Sequence, residues 1–178
     1  MGKFTGRFRA RPWLPDKAIS YLDLMIEPTW WIVETGAGAS TFWMAERASR
    51  VITFEHNPAW AEAVAAEAAK RKISNITMIH DPEYPKDGLA RSLQEIGINK
   101  CDLALIDGRG RVKSIKTIFP FIAIGGWIVL DNANRPRYEK AHRILADAEW
   151  RRTIAQGKIQ PENKRGFTQF WQRPMEQK

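Results

Sequence analysis

The sequence predicts an α/β domain built on a doubly wound, mainly parallel sheet, and three observations carry that expectation. Short apolar runs of strand length alternate with helical stretches, which demands crossover connections and helices on both sheet faces. No segment has the composition of a linker or a repeat, so 17–178 reads as one domain behind a basic segment, 1–16, expected to be mobile. Five acids, Glu34, Glu55, Asp81, Asp107 and Asp131, fall at or just beyond expected strand ends although the chain carries a net charge of +8. Ligands of such sheets bind outside the carboxyl ends of the strands, so this rim marks the expected site.

Each element has its own signal. Lys17–Ile26 carries Ile19, Leu22 and Met25 at helical spacing. Trp30–Val33 is an apolar run ending in an acid, and a glycine turn leads from it into the helical Phe42–Ala48. Arg50–Glu55 reads as the second strand, and Pro58–Lys72 as an alanine-rich helix with proline in its first turn. Ile76–His80 alternates as a third strand, and Leu89–Ile96 is a short helix ended by Gly97. Leu103–Asp107 is the fourth strand, followed by a helix with the stripe Val112, Ile115, Ile118 and Phe119. Gly125-Gly126 is expected to turn into the fifth strand, Trp127–Asp131, before a last helix, Tyr138–Ala148. Trp150–Ile154 and Phe167–Gln172 close the sheet.

Composition narrows the class. A chain of 178 residues buries roughly 70% of its unfolded surface without staples. The single Cys101 excludes an internal disulfide and reads as a core thiol. No apolar run approaches the ~20 residues of a membrane span, and Met1–Arg11 lacks the apolar stretch of a secretion signal, so a cytoplasmic protein is expected. The 28 Lys and Arg residues against 20 Asp and Glu are clustered. Lys3, Arg7, Arg9 and Arg11 stud the N-terminus, Arg109, Arg111, Lys113 and Lys116 follow the fourth strand, and Arg151, Arg152, Lys158, Lys164 and Arg165 mark the C-terminal part. Such surfaces attract anions, nucleic acid among them, or simply form a solvated basic face.

The run Glu34-Thr35-Gly36-Ala37-Gly38-Ala39-Ser40-Thr41 lets backbone approach a ligand where a Cβ would clash, just before a helix start with free N–H groups. Glu55 lies 17 residues beyond Gly38, near the ~20-residue spacing at which an acid receives ribose hydroxyls. A dinucleotide fingerprint counted from Gly36 requires Gly or Ala at position 41, where Thr41 stands. Glu34 before the turn would repel a pyrophosphate and attract a sulfonium or amino group. These residues favour S-adenosylmethionine over NAD.

The stretch Val33–Thr41 resembles the first motif of class I S-adenosylmethionine-dependent methyltransferases, with Ser40 where a third glycine is usual. Thr53–Pro58, Cys101–Gly108 and Gly125–Asn132 are similar to the family's later motifs. The resemblance spans roughly Thr29 to Asn132 and implies a Rossmann-like, seven-stranded sheet with an antiparallel C-terminal strand. Gly36 and Gly38 would then carry backbone against the methionine portion, Glu55 the ribose, and His56, His80 and Asp81 the adenine, with Glu34, Ser40, Thr41 and Asp107 also on the cofactor side. Asp81 reads equally as a loop cap, Trp60 as helix packing, and His142 as structural.

The implied reaction is methyl transfer in which the protein mainly positions and desolvates the reactants. Asp107, Arg109 and Asp131 are the catalytic candidates. Asp107, Asp131 and Asn132 resemble the metal set of catechol-type O-methyltransferases, which would make Mg²⁺ a second cofactor. Asp107 orienting the cofactor's amino group and Asp131 capping a turn is the alternative. Gly110 replaces the lysine expected of that subfamily, leaving the base open. The partner implied is a small-molecule acceptor, anionic if Arg109 and Arg111 face it, and a homo-oligomer is compatible. The rival is a nucleic-acid-binding or RNA-modifying protein that uses the basic surface; no N-P-P-Y-type motif follows the fourth strand, where Ile106-Asp107-Gly108-Arg109 stands.

Overall fold

In the computed structural model, which describes residues 11–84, 88–160 and 162–175, helices and strands alternate in the expected order. The elements are α1 (Asp16–Met25), β1 (Trp31–Thr35), α2 (Ala39–Ala45), β2 (Arg50–Glu55), α3 (Pro58–Lys70), β3 (Ile76–His80), α4 (Leu89–Glu95) and β4 (Cys101–Ile106). There follow α5 (Arg111–Ile118), β5 (Ile122–Asp131), α6 (Glu139–Asp147), β6 (Arg151–Ile159) and β7 (Lys164–Gln172). Lys3, Arg7 and Arg9 lie outside the described residues; Leu14, within the expected N-terminal segment, is buried.

The seven strands form one sheet in the order β3-β2-β1-β4-β5-β7-β6. Neighbours from β3 to β5 pair in parallel, and β7 runs antiparallel to both β5 and β6. The order reverses between β1 and β4, which places a crevice at the carboxyl ends of those strands.

Period-2 alternation assigns the central strands to two cores, so they read as continuous apolar runs rather than alternating ones. Val33, Ile52, Ala104, Ile106, Ile128 and Leu130 face the core that α4, α5 and α6 cover. Ile32, Val51, Leu103, Leu105, Val129 and Phe170 face the other, covered by α1 and α2. Asn57 caps α3 by accepting the Trp60 N–H, and Pro58 occupies the first turn.

Three strands run well beyond their expected bounds. The Gly125-Gly126 pair does not precede β5 but lies inside it, at an irregularity where the pairing with β4 shifts between Cys101 and Leu103. Gly125 takes a φ of +74°, and a Cβ on Gly126 would meet the Asp102 carbonyl oxygen at 2.8 Å. The closing hairpin is also longer than its apolar residues suggest, because β6 alternates polar residues on an open edge. No helix among the described residues is long and apolar enough to cross a membrane.

Candidate active site

The turn after β1 is held by backbone. Gly36 N–H donates to the Phe54 carbonyl at 2.8 Å, and Gly108 N–H to the Thr35 carbonyl at 2.6 Å. Gly36 has a φ of +92°, and a Cβ there would stand 2.7 Å from Gly108 N. The turns after β1 and β4 therefore touch along a seam that only glycine permits. A Cβ on Gly108 would also strike the Tyr84 hydroxyl, which accepts the Arg109 N–H at 3.0 Å. Burial pushes the Tyr84 phenol up to about 12. A Cβ on Gly38 would meet nothing within 4 Å, so backbone there is open to a ligand.

Around this seam lies a cleft of about 790 Å³, lined by Gly36, Ala37, Glu55, His56, Trp60 and Asp107. The rest of its lining is formed by 108–113 with Arg135, Arg137 and Tyr138. A smaller pocket of about 100 Å³, lined by Trp13, Trp60, Asp107 and the turn 36–40, shares part of its lining with the cleft. Asp107 is the carboxylate common to both among the described residues.

The five rim acids separate into two groups. Glu55 and Asp107 line the cleft. Glu55 Oε1 accepts the Asn57 N–H at 2.8 Å and faces His56 Nδ1 at 2.8 Å. Trp60 Nε1 donates to the Ala37 carbonyl at 2.6 Å, which fixes its ring beside the glycine turn. Gly36, Gly38, Ser40, Glu55, His56 and Asp107 thus lie where the sequence expects a cofactor to be held.

Glu34, Asp81 and Asp131 are turned inward. Glu34 is fully buried and accepts hydroxyl hydrogen bonds from Ser40, Thr41 and Thr53, the last at 2.7 Å. Burial pushes its carboxyl up to about 7, the three hydroxyls opposing and the nearby Asp107 charge adding to the rise. Thr41 is consumed in the same brace, since its hydroxyl also accepts the Gly38 N–H at 2.9 Å. Direct cofactor contact expected of Glu34 and Thr41 is therefore corrected to support of the turn from below.

Asp81 accepts the Glu83 N–H at 2.8 Å and the Ser92 hydroxyl at 3.2 Å, the loop-capping alternative. His80 is exposed and lies outside the cleft lining. Neither His80 nor Asp81 is among the residues that line this cleft. His142 faces the Ala133 carbonyl at 2.8 Å and stacks on Trp171, as a structural residue would.

Arg111 departs most from expectation. It is 7% exposed, with Nε donating to the Gly108 carbonyl at 3.0 Å and Nη2 to Asp107 Oδ1 at 2.7 Å. Its Nη1 bonds the Asp131 carbonyl and lies 3.8 Å from Asp131 Oδ2. It ties the ends of β4 and β5 together instead of reaching for an acceptor. The Asp131 carboxyl accepts the Thr168 hydroxyl at 2.8 Å and is pushed up to about 7, by burial and then by the Asp107 charge. The expected metal set of Asp107, Asp131 and Asn132 does not fit a dication. The Arg111 guanidinium sits between the two carboxylates, and Asp131 is buried out of the cleft lining. No cluster of three His, Cys, Asp or Glu suited to a metal occurs among the described residues.

Sequence reasoning missed Trp13, Tyr84, Arg135 and Arg137. The run Arg135-Pro136-Arg137, directly beyond the β5 end, was the available signal for the last two.

Strand order, reversed C-terminal strand and cleft position together define the class I S-adenosylmethionine-dependent methyltransferase fold. Residues 33–133 match the family model described as a methyltransferase domain, and the chain belongs to that family. Comparison with curated proteins finds no match.

Solved structures extend the likeness beyond the matched residues. A precorrin-6y C5,15-methyltransferase from Geobacter metallireducens GS-15 superposes with a TM-score of 0.73 at 17% identity, covering 97% of each chain. An O-methyltransferase from Bacillus cereus, in complex with SAH, gives 0.72 at 16% identity over 95% of this chain and 86% of that one. The O-methyltransferase TomG from Streptomyces achromogenes, in complex with SAM, gives 0.69 at 19% identity over 88% and 78%. At these identities the likeness is one of fold.

Proposed function

We propose that the protein transfers a methyl group from S-adenosylmethionine to an oxygen of a small acceptor, in the cytoplasm, without a metal. The observation that carries the cofactor reading is the open backbone at Gly38 beside the Gly36–Gly108 seam, with Glu55 on the same cleft. Gly36, Gly38 and Ser40 would hold the methionine portion, Glu55 the ribose hydroxyls, and His56 and Trp60 the adenine side. The bound cofactor supplies an activated methyl on a sulfonium whose charge suits a cleft bearing Glu55 and Asp107. The remaining work is to orient the acceptor and remove its proton. Asp107 suits the proton, because it borders both the cleft and the smaller pocket and its Oδ1 is already fixed by Arg111.

The cited neighbours that are named as O-methyltransferases support the oxygen target. Calorimetry with S-adenosylhomocysteine and NAD tests the cofactor; tight NAD binding with none to S-adenosylhomocysteine overturns it. Transfer of labelled methyl from S-adenosylmethionine into a small-molecule extract tests the acceptor class, and label found only in RNA or DNA overturns it.

A further inference from the structure

Arg109, in the turn after β4, and Arg135 and Arg137, in the loop after β5, line one cleft. All three are exposed. Neither 108–119 nor 132–138 contains an acid, and among the described residues none of these three guanidiniums has a carboxylate within ion-pair distance. Several arginines elsewhere are matched: Arg47 with Asp23 at 2.8 Å, Arg71 with Glu67 at 2.8 Å and Arg143 with Glu139 at 3.2 Å. Arg151, Arg152 and Arg165, unmatched among the described residues, lie on the β6–β7 hairpin and line no part of this cleft. The cleft carboxylate nearest in the chain, Asp107, is occupied by Arg111. Unmatched like charges facing one concavity repel one another, and an anion entering it relieves that repulsion.

We infer that this part of the cleft receives a phosphate group of the methyl acceptor, separate from the oxygen that is methylated; the inference rests on the methyltransferase reading of the same cleft. A phosphate suits three guanidiniums better than a single carboxylate does. Its dianion offers three terminal oxygens, each of which can accept a charge-assisted hydrogen bond from a planar fork. The cations also converge on one concavity rather than forming a stripe, which fits a small phosphate ester better than the backbone of a nucleic acid.

Calorimetry on the protein saturated with S-adenosylhomocysteine tests this, using pyrophosphate, glycerol 3-phosphate, citrate and a short single-stranded RNA. Either small phosphate should bind, and the dissociation constant should rise by about tenfold or more in Arg135→Gln/Arg137→Gln, the loss of two charge-assisted contacts. Arg143→Gln, which removes a matched surface charge, should leave it unchanged. Equal thermal melting of wild type and variants separates loss of binding from loss of fold. No phosphate binding, citrate binding in place of phosphate, or RNA binding without small-phosphate binding overturns the inference. The same titrations without S-adenosylhomocysteine keep the anion arm readable. Failure to bind S-adenosylhomocysteine then overturns the cofactor reading alone.

Discussion

The wall of the cleft built on β1 and β2 holds its buried acid with neutral hydroxyls, whereas the wall built on β4 and β5 holds its acids with a guanidinium. Under the glycine turn, Ser40, Thr41 and Thr53 surround Glu34 without supplying charge, and burial pushes its carboxyl up to about 7. At β4 and β5, Arg111 spans Asp107 and Asp131. The first arrangement lets a proton settle the charge; the second depends on one side chain. Each wall thus carries a buried acid raised to about 7, but only the second has a cation whose loss leaves its acids without a partner.

The largest expected effect follows from that dependence. Arg111→Met should lower unfolding free energy by about 3–5 kcal/mol, because two carboxylates lose their partner and Asp131 is left buried. Urea denaturation measures it, and a loss below 1 kcal/mol would make the two walls alike. Arg109→Gln, on an exposed side chain, should stay within about 0.5 kcal/mol of wild type.

The second effect sharpens the other wall. Glu34 has its folded carboxyl at about 7, above its ordinary 4.5, so the folded chain binds that proton more tightly than the unfolded one. Its stabilising share is complete below pH 4.5 and is lost as pH rises through 7. Asp131, raised from 3.8 to about 7, acts in the same direction. Between pH 4.5 and 7.5 Glu34→Gln should flatten the stability profile by about 3 kcal/mol, leaving the Asp131 contribution. An unaltered slope would remove Glu34 as its source.

Smaller effects test the surface of the cleft rather than its supports. Glu55→Ala should weaken S-adenosylhomocysteine binding by about 1–3 kcal/mol while costing about 1 kcal/mol of stability through the lost Asn57 contact. An unchanged dissociation constant would show that Glu55 serves only the Asn57 turn. Smallest of all, excess chelator should leave methyl transfer unchanged. Activity that vanishes with chelator and returns with Mg²⁺ would mean that Arg111 vacates the space between Asp107 and Asp131.

The fold was legible because alternating apolar runs and helices admit few arrangements, and β2 and β3 occupy the expected residues. The position of the cleft was legible for the same reason. Which rim acids face it was not. Glu34 and Glu55 both stand within one residue of a strand end, yet which way each carboxyl turns depends on the hydroxyls brought up by α2 and β2, which spacing within one strand does not encode. The inward turn of Arg111 is not legible either, because its partners include Asp131, 20 residues away on the neighbouring strand. Arg135 and Arg137 belong to no motif, and only the β5–α6 loop brings them beside Arg109.

The Gly36–Gly108 contact has a consequence for how such a protein can change its substrate. The two glycines meet through backbone, and of the acceptor-side arginines only Arg111, which donates to the Gly108 carbonyl, braces that join. Residues 109, 135 and 137 are thus free to be exchanged for others, altering what enters the cleft, without disturbing the cofactor turn. The glycines themselves are tied as a pair: a methyl group on either would wedge the two turns apart. Retargeting this scaffold is a matter of redecorating the loops around a fixed hinge-pin, and substitutions at 36, 108 or 111 are changes nearby that loop redesign cannot absorb.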